Sequence, residues 1–264
     1  MTLLAVAVEG RGLVDPDAPV FGAGDEAVLR GSAAFETIRL RRGRPVFLDL
    51  HLARLRDSAL ALRLPATEGA AELAVQAVEA AGADEGTLRV FRTSETLVAS
   101  VAPLPAGLEA LRARGLLLVT FEVGVSPFLA GVKATSYAFS MAALAEAERQ
   151  GADDALFLGP GRAVLDATTS NLWWREGDVL TTPAPGPAVL PGVTRRVLTG
   201  LAREHGFRVR EGSFTLGQLL GAEEAFTSSA VREVMPVVAV DGRELGGGRP
   251  GDAAVRLQAA LEAL

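Results

Sequence analysis

Short apolar runs of strand type alternate with segments whose apolar residues recur every three or four positions, and this alternation is repeated on either side of a glycine- and proline-marked break at 124–131. Before the break, residues 3–9 read as a first strand and 35–40 as a second, with Arg42-Gly43-Arg44-Pro45 as the turn that follows it. A helix opens at Asp49 with Leu48, Leu52, Leu55, Ala59 and Leu62 on one stripe; Thr67 caps another, which stops near Gly82. Residues 87–93, 96–101 and 116–122 are further strands. After the break come a helix over 138–150, strands at 154–158, 171–175 and 178–182, a helix over 193–205, strands at 207–211, 224–229 and 234–240, and a closing helix from Asp252. The reading is a mixed α/β (α+β) fold in two domains. A smaller N-terminal domain covers 1–123, a linker 124–131, and a larger C-terminal domain 132–264.

Composition narrows the chemistry. At 264 residues, with 49% hydrophobic and 22% charged side chains, the chain is long enough and apolar enough to bury a substantial core. A net charge of −6 argues against nucleic acid or an anionic membrane surface as a partner. The absence of cysteine removes disulfides, thiolate metal sites and a cysteine nucleophile, and two histidines, His51 and His205, make a poor basis for a metal centre. No basic, apolar leader opens the chain and no apolar run is long enough to span a bilayer, so the expectation is a soluble cytoplasmic protein.

Among 26 basic side chains there is one lysine, Lys133, in Gly131-Val132-Lys133-Ala134-Thr135-Ser136-Tyr137, and Tyr137 is the one tyrosine. Arginine serves for surface charge and anion pairing but does not give up its proton, so a neutral nucleophilic amine requires lysine. Pro191-Gly192-Val193-Thr194, at a helix start, and Thr227-Ser228-Ser229-Ala230, at a strand end, each offer amides and hydroxyls suited to a phosphate. Arg54 lies near the buried edge of its helix, where a guanidinium needs an anion. One lysine and three phosphate contacts suggest a phosphorylated aldehyde held as a Schiff base, with pyridoxal phosphate the obvious candidate. Three other patterns carry less. Gly22-Ala23-Gly24-Asp25-Glu26-Ala27 fits a dinucleotide loop but follows prolines, not a strand; Asp153-Asp154 reads as a turn; Trp173-Trp174 reads as one core side chain on each face of a strand.

These residues resemble the class IV aminotransferases, the fold type IV pyridoxal-phosphate enzymes, from about Asp25 to Val240. The matching blocks are Phe35-Glu36-Thr37-Ile38-Arg39, His51-Leu52-Ala53-Arg54-Leu55, Lys133-Ala134-Thr135-Ser136-Tyr137, the run from Gly151 to Leu158, Thr169-Ser170-Asn171-Leu172, Leu190-Pro191-Gly192-Val193-Thr194-Arg195 and Ser228-Ser229-Ala230. The resemblance implies a homodimer with pyridoxal phosphate at the domain interface. It makes Lys133 the Schiff-base lysine and acid–base. Arg54, Val193, Thr194, Ser229 and Ala230 would hold the phosphate, and Asp166 would face the pyridine nitrogen. The chain departs from the family pattern at Asp166, where glutamate is usual, at Ser136 for asparagine, at Gly31-Ser32-Ala33 for Gly-Asp-Gly, and at Met235 for threonine.

Within that family the shortness of the chain, the stretch from Leu29 to Thr37, and Met235-Pro236-Val237 resemble aminodeoxychorismate lyase, which makes 4-aminobenzoate and pyruvate in folate biosynthesis. The alternative is a transaminase acting on branched-chain or D-amino acids. For a substrate carrying two carboxylates, Arg92 or Arg89 is the expected partner, with Arg39 behind them and Thr37 as a substrate-side hydroxyl.

Overall fold

The computed structural model describes residues 2–264. The chain divides into two compact units, one comprising residues up to Ala106 together with Val132–Tyr137, the other Gly107–Gly131 and Ala138–Leu264. The helix and strand over 108–122 thus fall in the second unit rather than the first, and the lysine segment falls in the first rather than the second.

The first unit runs β1 (Ala5–Val8), β2 (Gly12–Val14), α1 (Glu26–Arg30), β3 (Ala34–Arg41), β4 (Arg44–Pro45), α2 (Leu48–Ala61), α3 (Ala70–Ala81), β5 (Gly86–Arg92) and β6 (Leu97–Ala102). Its strands form one sheet in the order β2-β1-β6-β5-β3-β4, antiparallel throughout. Alternation along β3 buries Ala34, Glu36, Ile38 and Leu40 and leaves Phe35, Thr37, Arg39 and Arg41 on the opposite, partly open face. Ile38, Leu40, Leu88, Val90 and Leu97 pack with Leu55 and Ala59 of α2 and Leu73, Ala74 and Ala77 of α3. Each fully buried Leu or Ile contributes about 2 kcal/mol. The β3–β4 hairpin turns on Arg42 and Gly43, both at positive φ (52° and 69°), as a two-residue loop between right-twisted strands requires. The cap expected at Thr67 is instead Gly69, at φ 85°, and Thr67 contributes only its carbonyl, which accepts from Ala70 N–H at 3.1 Å. Gly82 in the left-handed region ends α3, as expected.

The second unit contains α4 (Leu108–Arg114), β7 (Leu116–Glu122), α5 (Ala138–Arg149), β8 (Asp154–Gly159), β9 (Ala163–Ala167), β10 (Asn171–Glu176), β11 (Val179–Pro183), α6 (Val193–Glu204), β12 (Arg208–Gly212), α7 (Leu216–Leu219), β13 (Glu224–Ser229), β14 (Glu233–Val240), β15 (Arg243–Glu244) and α8 (Asp252–Glu262). The sheet order is β12-β11-β10-β13-β14-β7-β8-β9, with β15 beside β14; β11–β12, β14–β7 and β7–β8 are parallel. One face of its centre carries Leu172, Trp174, Ala225, Met235 and Val237 into the core. On the other, Trp173 stacks on Phe226 at 6.0 Å and donates its indole N–H to Ser228 Oγ at 2.9 Å. The two tryptophans do part to opposite faces. Met235, one of the residues resembling the lyases, is fully buried packing. Among the described residues no helix is long and apolar enough to cross a membrane.

Candidate active site

Functional side chains gather in one group in each unit. In the first, the segment carrying Lys133 is stitched to the start of β3: Ala134 bridges Ala34, Phe35 N–H donates to Lys133 O at 3.1 Å, and Thr135 N–H to Ala33 O at 2.8 Å. Lys133 N–H donates to the buried Ser58 hydroxyl of α2 at 3.1 Å, so the lysine backbone is held from two sides. The amine lies 4.2 Å from the centre of the Phe35 ring and donates to Tyr137 Oη at 3.0 Å. Tyr137 packs edge-on against Phe35 at 5.2 Å. Two aromatic rings and one phenol thus fix the amine, and Tyr137 is a participant that the sequence marked only by its rarity. Ser136, at a departure from the family pattern, donates to Gly31 O at 2.9 Å; a Cβ at Gly31 would sit 3.1 Å from Ser136 Oγ.

Arg54 does meet an anion, and it is Glu36. Its Nε and Nη2 donate to the two Glu36 oxygens at 2.7 Å each, and His51 Nδ1 lies 2.7 Å from the same carboxylate. Burial opposes the charge on Glu36, but the hydrogen bonds from Arg54 and His51 outweigh it and hold the carboxyl below its ordinary pKa. Burial also lowers His51, and the charges of Arg54 and Lys133 lower it further against the pull of Glu36. A neutral His51 with its proton on Nδ1 donates to Glu36 and leaves the carboxylate to orient Arg54. Glu36 and His51 received no role from the sequence because the pair is joined only by tertiary structure.

The substrate-side candidates separate by face. Thr37 pairs with Arg89 across β3–β5, on the partly open face with Arg39. Arg92, three positions from Arg89, points to the other face, where it donates to Glu9 at 2.7 Å and to Pro65 O at 3.2 Å. Arg39 pairs with Glu85 at 2.7 Å. Partial burial lowers the pKa of Arg89 from its ordinary value, though not enough to discharge a guanidinium.

In the second unit, Asp166 lies buried on β9. Its oxygens accept from Asn171 Nδ2 at 3.0 Å each, and Oδ2 also accepts from Leu190 N–H at 2.8 Å. Burial raises its pKa to about 7, against the Leu190 and Asn171 hydrogen bonds and the charge of Arg195. The α6 helix begins at Gly192 with no side-chain cap, and the first N–H to find an acceptor within it is that of Arg196, to Gly192 O at 3.0 Å. The preceding amides of Val193, Thr194 and Arg195 are the free donors of a helix start. α6 packs on β13, which ends at Ser229, with Ala230 next; Ser229 Oγ accepts from Arg232 N–H at 3.3 Å. Arg195 donates to Pro183 O and Glu211, while its buried Nε has no protein partner.

Other sequence patterns are structural. Asp25 caps α1 by accepting from Ala27 N–H at 2.9 Å and from the Thr93 hydroxyl at 2.7 Å, occupying the amide that a dinucleotide phosphate would need. Asp153 takes Arg114 and Leu117 N–H in the turn before β8, and buried Asp154 takes Thr168 and Arg232.

Residues 33–240 match the family model for amino-transferase class IV, and the chain belongs to that family. It is 31% identical to the bifunctional aminodeoxychorismate lyase / D-amino acid transaminase of Mycobacterium tuberculosis, covering 92% of this chain and 93% of that protein. The pyridoxal-phosphate-bound form of a hypothetical aminotransferase from Mycobacterium tuberculosis superposes with a TM-score of 0.89 at 27% identity over 98% and 97% of the two chains. Escherichia coli branched-chain amino acid aminotransferase does so at 0.90 and 26% over 98% and 94%. The protein is therefore a pyridoxal-phosphate-dependent enzyme, a lyase or a transaminase. Each unit holds groups of the kind that fit that cofactor: the first a fixed primary amine that could take an aldehyde, the second an uncapped helix start that could take a phosphate and a buried carboxylate that could take a ring N–H.

Proposed function

We propose that the protein is an aminodeoxychorismate lyase, releasing 4-aminobenzoate and pyruvate from 4-amino-4-deoxychorismate. The observation that carries the pyridoxal chemistry is the seat of the one lysine, whose amine lies against Phe35 and Tyr137 on a backbone pinned by β3 and Ser58. What favours the lyase over an exchange of amino groups is the resemblance of the stretch from Leu29 to Thr37 and of Met235-Pro236-Val237 to lyase sequences; the relative matched at near full length carries both activities in its name. The runner-up is a transaminase using D- or branched-chain amino acids, which the other relatives' names keep in view.

With the cofactor bound, Lys133 would be the residue that holds its aldehyde group. Arg54, oriented by Glu36 and His51, and the amides of Val193 and Thr194 hold the phosphate, joined by Ser229 and Ala230. Asp166 would be the residue that meets the cofactor's ring nitrogen. The bound cofactor supplies an electron sink for the carbanion formed at the amine-bearing carbon. The Lys133 amine, beside Tyr137 Oη, would be the base for the proton on that carbon. Loss of that ring proton with cleavage of the C–O bond to the enolpyruvyl group would leave an aromatic ring; the departing oxygen takes up a proton, and the enolpyruvate tautomerises to pyruvate. Arg89 with Thr37, on the partly open sheet face, is the candidate pair for the substrate carboxylates; Arg92 lies on the opposite face with Glu9 and Pro65 O. The same reading has the enzyme acting as a homodimer.

The test is the visible spectrum of purified protein before and after borohydride, for wild type and Lys133→Ala. A yellow band lost on reduction, with the cofactor on a peptide covering Lys133, is the expected result. A colourless wild type that takes up no pyridoxal phosphate would end the reading. Aminodeoxychorismate should then give fluorescent 4-aminobenzoate; keto-acid-dependent amino exchange without it would favour the transaminase.

A further inference from the structure

Asn171, the first residue of β10, is buried, and its side chain touches three different parts of the second unit. Nδ2 lies 3.0 Å from both Asp166 oxygens on β9 and 2.8 Å from Leu190 O in the loop before α6. Three acceptors around one atom fix the orientation of the amide, since a flipped carboxamide would set an oxygen against all of them. The other end, Oδ1, is pressed against the helix start: a Cβ built on Gly192 would come within 2.0 Å of it. Leu190 closes the loop by donating its N–H to Asp166 Oδ2 at 2.8 Å. The charged group facing Asp166 from α6 is Arg195; β10 and the loop contribute neutral donors only. Asp166 is also a short side chain, with little freedom to find its own aim once its backbone is set in β9.

We propose that Asn171 is a positioning residue that locks the direction of the Asp166 carboxylate to the first turn of α6. One carboxamide then holds the two features that meet opposite ends of one cofactor molecule, the carboxylate for the ring nitrogen and the amides for the phosphate. The inference rests on the cofactor roles given above to Asp166, Val193 and Thr194. It predicts that Asn171 acts through Asp166 and the helix start without touching the reacting atoms.

The experiment uses Asn171→Leu, which keeps the bulk and removes the donors, with Asn171→Ala carrying the same test if the first variant fails to fold. In apo-protein, the Asp166 carboxyl is followed by isotope-edited infrared titration against an Asp166→Asn blank; pyridoxal phosphate affinity is measured separately by absorbance. Loss of neutral donors to the ionised form should move the carboxyl midpoint upward by about one pH unit. Cofactor affinity should fall about tenfold while the apo-protein still unfolds cooperatively. An unmoved midpoint, or an affinity unchanged within about twofold, would overturn the proposal. The arms separate the two levels of argument: a wild type that binds no cofactor sinks the pyridoxal reading, whereas a wild type and variants that bind equally well sink the role of Asn171 alone.

Discussion

Substituting Gly192 by alanine tests the tightest packing in the second unit. Its φ of −62° is ordinary, so the need for glycine is one of space. The added Cβ would lie 2.0 Å from Asn171 Oδ1, inside the 3.0 Å that real Cβ atoms respect. The carboxamide must therefore move by about 1 Å, which disturbs the contacts that Nδ2 makes with Asp166 and Leu190. Losing a hydrogen bond to a carboxylate and leaving buried polar groups underserved costs about 3 kcal/mol. Urea unfolding of the apo-protein should show that loss. In an Asn171→Ala background the obstacle is gone, and the next contact is Arg195 Cβ at 3.2 Å. There the same Gly192→Ala change should cost less than about 1 kcal/mol, giving a coupling of about 2 kcal/mol. Equal costs in the two backgrounds would refute the wedge.

Three further outcomes follow from the same contacts. Because burial raises Asp166 to about 7 from 3.8, the unfolded chain releases this proton first; the group's contribution to apo stability is full below pH 3.8 and falls as pH rises to about 7, by up to about 4 kcal/mol. Urea midpoints of wild type should thus drop relative to Asp166→Asn over that window, and a constant difference would contradict it. Thr227 carries a buried hydroxyl with no partner in the Leu172–Met235 layer, so Thr227→Val should raise stability by about 1 kcal/mol, whereas a loss would reveal a partner for the hydroxyl. Arg92→Met should cost about 2 kcal/mol by breaking the Glu9 and Pro65 contacts while leaving substrate KM unchanged; a raised KM at unaltered stability would return Arg92 to the substrate.

Periodicity alone located most strands and helices, including β7, whose bounds coincide with the expected 116–122. It missed β9 because five residues with an aspartate near the end carry too little alternation. Caps and pairings were harder. Thr67 has the chemistry of an N-cap, yet the chain turns into α3 two residues later on a left-handed glycine. Lys133 stood out by composition, since one amine among guanidiniums is a chemical distinction. Glu36, His51 and Asn171 did not, because each acquires its function from a partner on another element, reached only after folding. Arg89 and Arg92 show the reverse: period two alone puts residues three apart on opposite faces, so their separation was legible in the sequence, which offered them as alternatives.

The chain passes between the two units three times, after Ala106, after Gly131 and after Tyr137. A ribosome therefore releases β1 to β6 well before the segment that completes their edge and brings the amine. Until Tyr137 has emerged, Phe35 N–H and Ala33 O lack the partners they have in the finished protein. A fragment ending at Ala106 would carry Arg54, Glu36 and His51 but not Lys133, and one starting at Gly107 would carry Lys133 without the strand that pins it. The order of the chain thus makes the edge of the first unit wait on a segment that follows part of the second.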